Sequence, residues 1–383
     1  MKRTVVMVAA PIHPIPPRLG AAVEWWMWQV SRRFTRHHAH IVCTWAPGYA
    51  REEALEGVRF HRLHLSHLYK RLFQKLTRLD PWGYAARAAA RIEAVDADLV
   101  HVHNDPELFR RLRAASRNPA RRYLLHLHNE RDNLQGLEQA DLIAVSEYLA
   151  GWYRERLPAA RIRVVTNGVD LEQFSHAPLR HEARLRLLPG LAASQRRVVL
   201  FAGRVSPEKG ALPLVRALAR VMAARDDVAF VLAGEFSQGG AQNRRVRYGE
   251  EVRAALAALP AGRALCLGSV SPDRIHEVYA CADLVVMPSE FNEPLGMVAL
   301  EAMAAGAPLL AARRGGLREI VQENRTGFFI PEGGDDALAS RILSLLDPCP
   351  EREAVVAAAR AYVAERHGWQ TVAVQLEQLY ADV

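Results

Sequence analysis

Residues 282–306 read ADLVVMPSEFNEPLGMVALEAMAAG. The run LVVM carries no polar residue, as expected of a short strand buried on both faces. Pro288, Pro294 and Gly296 then mark a loop, and GMVALEAMAAG, rich in good helix formers, predicts a helix beginning near Gly296. Strand, loop and helix in this order make a βα unit, whose loop leaves the C-terminal end of the strand, where open parallel sheets bind ligands. Glu293 falls just before the helix and Glu301 on its second turn. A carboxylate accepts two hydrogen bonds at once, which suits the neighbouring hydroxyls of a sugar or a ribose. The unpaired N–H groups of the helix start lie between the two carboxylates and favour negative charge. In a purely structural reading Glu293 is a favourable N-terminal charge and Glu301 a surface residue. Leu300 and Ala302 on either side of Glu301 argue against the second half of that reading.

The same unit recurs along the chain. TVVMVA, HIVCTW, VRFHRL, DLVHVH, YLLHLH, DLIAVS and IRVVTN occupy the first half, and RRVVLFAG, VAFVLAG, RALCLG, ADLVVMPS, APLLAA and TGFFIP the second, with amphipathic patterns between them. Apolar strands alternating with helices imply parallel sheets covered on both faces, so the fold class is α/β with two doubly wound, Rossmann-like domains. The length, 383 residues, likewise exceeds what one core usually supports. The series is interrupted between about 166 and 196, where TNGVDLEQF gives way to the polar HAPLRHEARLRLLPG. Domains are therefore expected at 1–170 and 171–366, facing each other across a ligand cleft, with a helix over 367–383 packing back toward the first.

Composition excludes some classes of function. No stretch approaches the roughly 20 apolar residues of a membrane-spanning helix. The opening MKRTVVMVAAPIHP has the basic start of an export signal, but its apolar run is short and reads as a first buried strand. Cys43, Cys266, Cys281 and Cys349 show no CxxC spacing and suit reduced thiols in a cytoplasmic protein. Residues 1–125 hold 21 Lys and Arg against 10 Asp and Glu, a balance of +11, whereas the whole chain is +8. The basicity of the first half suggests an anionic surface as partner.

Phosphate chemistry has a candidate loop. In RRVVLFAGRVSPEKGALPLVRAL a strand stops at Gly203, and Arg204 and Lys209 stand before a helix beginning near Gly210. Gly permits close backbone approach, a helix start offers free N–H groups, and the two cations supply charge-assisted donors, as a diphosphate requires. After TVVMVA, the segment PIHPIPPRLG places Gly20 at another helix start that can present amides to the same phosphates. GxGxxG is absent, which disfavours a nicotinamide-binding domain.

HVHN and HLHN alternate as strands do, so His101 and His103 share one face, as do His126 and His128. A metal site needs a third converging donor that the sequence does not identify, so no metal is expected. His103 and His128, last on their strands, are expected to reach the cleft, with His101 and His126 packed deeper. His37, His38 and His40 read as a solvated corner, and Trp25, Trp26 and Trp28 as core packing of the first helix.

The succession GRVSPEKG, LGSVSPDRIHEVYACADLVVMPS, EFNEPLGMVALEAMAAG and GGLREIVQENRTGFFI resembles the nucleotide-sugar-binding domain of the retaining GT-B glycosyltransferases of family GT4. VHVHN, HLHN, AVSEYL and VVTNGVDLEQF resemble the first half of that family, closest in flavour to bacterial cell-surface, spore-coat and lipopolysaccharide enzymes. The resemblance implies a GT-B fold and transfer of a sugar, with retention, from a nucleoside diphosphate, a UDP-sugar, to a hydroxyl acceptor, without cofactor or metal. It makes Arg204 and Lys209 the clamp on the diphosphate, with Gly20 and Gly203 beside it, and Glu301 the ligand of the ribose. Glu293 holds the donor sugar, the backbone of Leu295, Gly296, Met297 and Val298 meets sugar and phosphate, and the segment around Val270 contacts the base. His128 lies near the sugar, with His103 and Asn104 on the acceptor side. Two departures stand out: Leu19-Gly20 replaces paired glycines, and Leu295 an aromatic, which bears on sugar choice.

A nucleotide-sugar epimerase or phosphorylase would use the same architecture, whereas a basic nucleic-acid-binding protein would leave the loop cations and paired carboxylates without a role. Leu65, Leu68, Leu72, Leu76 and Leu79 fall at helical spacing in LSHLYKRLFQKLTRLDPW, with Lys70, Arg71, Lys75 and Arg78 toward another face. The pattern over 65–82 fits a helix on an anionic membrane surface as well as one packed on the first sheet. A peripheral place on the inner face of the plasma membrane is the corresponding expectation.

Overall fold

The computed structural model describes residues 2–18, 21–64, 83–192, 196–237 and 243–383. Gly20 and the leucine stripe of 65–82 lie outside the described residues. The chain divides into two compact units, one made of 1–167 with 369–383, the other of 168–368.

The first unit holds β1 (Arg3–Val8), β2 (His37–Thr44), β3 (Glu52–Leu55), β4 (Val58–Leu63), β5 (Leu99–His103), β6 (Arg122–Leu127), β7 (Asp141–Ala144) and β8 (Arg161–Val164) in one sheet ordered β3-β4-β2-β1-β5-β6-β7-β8. All neighbours are parallel except β3 and β4. β5 is buried along its whole length, the signature of a strand covered on both faces. Two of the helices between strands start where short polar side chains accept orphan N–H groups. Asp105 accepts from Leu108 N and Ser146 from Leu149 N, each about one turn in.

Two readings are corrected here. The sheet is not wholly parallel, because EEAL forms the exposed antiparallel edge strand β3. His37 and His40 are not a solvated corner: they lie on β2, both buried, with only His38 exposed. His37 contacts Glu377 at 3.0 Å, and His40 stacks on His61 at 5.2 Å between ring centroids.

Glu377 belongs to the helix Trp369–Ala381, which completes the first unit. Its carboxylate accepts from the backbone N–H of Thr35 and of Arg36 at 3.0 and 2.7 Å. Arg3 donates to the Tyr380 carbonyl at 3.0 Å. Burial pushes the Glu377 carboxyl upward, yet these amides and His37 outweigh it and hold it below the usual range.

The second unit contains β9 (Arg197–Ala202), β10 (Val228–Ala233), β11 (Ala264–Gly268), β12 (Leu284–Met287), β13 (Leu309–Ala311) and β14 (Phe328–Phe329), all parallel, in the order β11-β10-β9-β12-β13-β14. The helix Ala211–Ala224 buries Leu214, Val215, Leu218, Val221 and Met222, spaced at three and four, against β9 and β10. The polar stretch after Ser175 is part of this unit. It forms the helix Arg180–Leu187, held because Asp283, buried at the start of β12, takes ion pairs from Arg180 and Arg184 and a hydrogen bond from Val198 N. Among the described residues no helix is long and apolar enough to cross a membrane.

Candidate active site

In the second unit β9 and β12 are neighbours, so the loops leaving their C-terminal ends lie side by side. The loop after β9 runs through Gly203 and Arg204 into a single 3-10 turn, Pro207–Lys209, and then into the helix from Ala211. Gly210 joins the two at φ 71°, and a Cβ there would stand 2.0 Å from the Pro288 carbonyl oxygen of the facing loop. Only glycine lets the loops approach this closely. Glu290 N donates to the Glu208 carbonyl at 2.9 Å, a second tie between them.

The side chains meet across that seam. Lys209 Nζ lies 2.7 Å from Glu293 Oε1 and 4.8 Å from the centre of the Phe291 ring. Ser289 donates to the same Glu293 oxygen at 2.6 Å. Glu293 is only 4% exposed, so these partners compensate a charge that would otherwise be costly to bury. Arg204 is exposed, free of the packing that fixes Lys209.

Beyond Glu293, Leu295 is buried and Gly296 turns the chain at φ 112° into the helix Met297–Ala304. A Cβ on Gly296 would meet Leu317 at 2.6 Å. The first hydrogen bond of the helix runs from Ala299 N to Gly296 O, so the N–H groups of Met297 and Val298 precede the helical ladder. Glu301, half-buried on the second turn, accepts from the Tyr279 hydroxyl at 2.7 Å. Burial pushes its carboxyl up to about 7, and the Tyr279 bond acts in the opposite sense. Two open cavities flank these loops, one of about 470 Å³ lined by Ser289, Asn292 and Arg314 among others, one of about 610 Å³ lined by Arg245 and Phe291 among others. Arg204 and Glu301 line neither of the two.

The structure thus brings Gly203, Arg204, Lys209, Glu293, Leu295, Gly296, Met297, Val298 and Glu301 onto two adjacent loops and one helix start. Val270 is half-buried just past β11, at the far edge of the same sheet. Ser289 and Tyr279, which fix the two carboxylates, went unread in the sequence. Tyr279 is 22 residues from Glu301, and no spacing rule links them.

The first unit gathers its own candidates. The register of β5 and β6 sets His103 opposite His126, so all four histidines of the two strands project on one side of the sheet. His103, expected at an open strand end, is fully buried, because Trp26 covers it at 5.2 Å between ring centroids. Its Nδ1 lies 3.2 Å from His128 Nε2. His128 is 8% exposed, and its backbone N–H donates to Asn104 Oδ1 at 3.2 Å. Asn104 stands at φ 55°, a conformation that Asn tolerates better than most residues. Burial, with Arg131 nearby, pushes the His128 imidazole down to about 3, so it is neutral at physiological pH.

Two units, one on a wholly and one on a largely parallel sheet, the former with a cation-bearing loop, paired carboxylates and a helix start at its strand ends, fit the GT-B class of sugar-transferring enzymes. The model for glycosyl transferases group 1 matches residues 189–362, and that for glycosyltransferase family 4 matches residues 23–173. A lipopolysaccharide 1,2-N-acetylglucosaminetransferase of Salmonella typhimurium is 33% identical over 99% of this chain and 98% of its own. Spore coat protein SA of Bacillus subtilis is 28% identical over 98% of each. Among solved structures, Anabaena HepE in complex with UDP-glucose superposes with a TM-score of 0.75 at 21% identity, over 99% of this chain and 100% of that one. A glycosyltransferase from Rickettsia africae gives 0.78 at 18% identity, over 100% and 99%. The chain belongs to glycosyltransferase family 4, of the group 1 type.

Proposed function

We propose that this glycosyltransferase moves a sugar from a UDP-sugar to a hydroxyl of a cell-envelope glycan or glycolipid, with retention of configuration and without a metal. The observation that carries the reading is the Lys209–Glu293 pair, which ties the cationic loop after β9 to the carboxylate loop after β12 at the start of a helix. A nucleoside diphosphate-sugar needs these three things close together: donors for the diphosphate, a carboxylate for the sugar hydroxyls, and a second carboxylate for the ribose.

Loss of the sugar leaves negative charge growing on the diphosphate. Lys209 and the N–H groups of Met297 and Val298 are fixed donors for that charge, and the exposed Arg204 is free to swing onto it, together in the role a divalent ion plays elsewhere. Glu293 holds the sugar through its second oxygen while Oε1 stays engaged by Lys209 and Ser289. A carboxylate engaged in this way is a poor nucleophile, which argues for a front-face route in which the donor phosphate takes the acceptor proton. Glu301 accepts from the ribose hydroxyls, and the segment at Val270 contacts the base. In the first unit, His128 and Asn104 serve the sugar and the acceptor, whereas the sealed ring of His103 does so only through His128. The matches to lipopolysaccharide and spore-coat proteins support an envelope acceptor, and the likeness to HepE supports UDP. A peripheral position at the inner face of the plasma membrane is part of the same proposal.

The test is incubation with UDP-N-acetylglucosamine or UDP-glucose and a lipopolysaccharide-core acceptor, with the anomer of the product read by NMR. A product that keeps the donor's anomeric configuration supports the reading. An inverted product, or an epimerised nucleotide sugar formed without acceptor, overturns it.

A further inference from the structure

The histidines of β5 and β6 have a property that sugar transfer does not use. His101, His103 and His126 are fully buried, and each brings one ring nitrogen within 4.8 Å of those of the other two. Two of the three rings are already anchored by one nitrogen. His101 Nδ1 lies 2.6 Å from the Tyr380 hydroxyl, and His103 Nδ1 3.2 Å from His128 Nε2. Their remaining nitrogens, Nε2 of each, have no hydrogen-bond partner, and His126 has none of good geometry on either nitrogen, with the Val165 backbone as its polar neighbour. Buried polar atoms nearly always have a partner, so the bare nitrogens on three adjacent rings form an under-compensated cluster. Metal-ligating histidines hold their other nitrogen in a hydrogen bond, and His101 and His103 do so here.

We infer that His101, His103 and His126 form a structural site for a transition-metal ion of the kind imidazole favours, zinc or copper(I), that fastens β5 to β6 beneath Trp26. Neutral imidazoles are the ligands such ions take, and the apolar surroundings keep these rings neutral. Metal–nitrogen bonds of about 2.0–2.1 Å require the nitrogens to draw together by roughly 1.5 Å. The rings of His101 and His126 lie nearly parallel, 8° apart at 5.3 Å, so one of them must also turn about its side-chain bonds to bring its in-plane lone pair onto the same ion. No carboxylate belongs to the trio, which favours singly charged copper(I), three-coordinate, or zinc carrying a hydroxide as its fourth ligand. The ion takes no part in sugar transfer; it satisfies nitrogens that the packed protein leaves bare. The site is sealed, so loading belongs to folding.

The whole chain is unfolded in denaturant with chelator and refolded with zinc, with copper(I) under reducing conditions, or with chelator alone. The expected result is close to one equivalent of zinc or copper per chain, resistant to desalting, and a melting temperature raised by roughly 5 °C or more over the chelator arm. X-ray absorption on the loaded wild type should show a shell of imidazole nitrogens. His126→Gln and His103→Gln should each lose the metal, while His38→Gln, on the exposed ring, keeps it. Equal melting temperatures and no retained metal in all three arms overturn the site, as does full retention by a folded His126→Gln protein. If the glutamine variants fail to fold, an absorption edge without imidazole scattering in the wild type overturns it equally.

Discussion

Replacing Lys209 by Met separates two roles that one ion pair combines. Glu293 is 4% exposed and, among the described residues, keeps only the Ser289 hydroxyl on its carboxylate once the ammonium is gone. Breaking a fully buried pair from one side costs about 3–5 kcal/mol, and Lys209 retains 22% exposure, so water repays part of the loss. A destabilisation of about 2 kcal/mol is expected, read as a lower urea midpoint for the second unit. Turnover should fall by roughly 10²-fold or more, on the scale of losing one preorganised donor to a developing anion. Adding Glu293→Gln removes the stranded charge and should recover most of the stability, because a neutral amide beside Ser289 and Met is far less costly to bury. Turnover should stay low, since the cation on the diphosphate is still missing. A double variant that regained both would show that Lys209 acts only by holding Glu293. A single variant that melted like wild type would show that the pair contributes no stability.

Other expectations follow from single observations. Glu301 has its carboxyl raised to about 7, so below that pH it is mostly protonated and accepts fewer hydrogen bonds. UDP affinity should therefore rise roughly tenfold between pH 6 and 8 relative to Glu301→Gln, whose titration then reports only the phosphates; parallel curves for the two proteins would refute the assignment. His128→Ala should impair transfer while leaving the Kd for UDP unchanged in calorimetry, because the nucleotide residues lie in the other unit; equal losses in both would make this histidine structural. Transfer by the native protein should continue in EDTA, and a loss reversed by one particular metal would overturn metal-free chemistry. The native protein should cosediment with acidic vesicles at low salt, less so at high salt or when Lys70, Arg71, Lys75 and Arg78 become Gln, and indifference to such vesicles would point to a soluble acceptor.

The legible parts of the fold were those whose chemistry is local in the chain. LVVM, VAFVLA and LVHVH announce buried strands by their own composition, and Gly210 and Gly296 announce the helix starts after β9 and β12. β3 escaped because EEAL is exposed throughout and has no apolar face to read, although Glu56-Gly57, both at positive φ, supplies the tight turn that folds it onto β4. The candidate site was legible as residue types at strand ends, but not as pairs. Nothing in sequence spacing tells that Lys209 meets Glu293 or that Tyr279 meets Glu301. The histidines show the same limit. Alternation revealed that they pair along each strand, whereas their convergence depends on the inter-strand register that sets His103 opposite His126.

The helix Trp369–Ala381 has a consequence for the order in which this protein is made. The Tyr380 hydroxyl reaches His101 from 279 residues away, and Glu377 receives the amides of Thr35 and Arg36 from still farther. At a synthesis rate of about 5–20 residues per second, His101 waits roughly 15–55 s on the ribosome for its partner. During that interval the second unit, whose residues are contiguous, is being made and needs nothing from the last residues to fold, while the first, begun earlier, stays unfinished until they are added. A released chain ending at residue 368 should therefore yield a protease-resistant second unit and a first unit that is still cleaved.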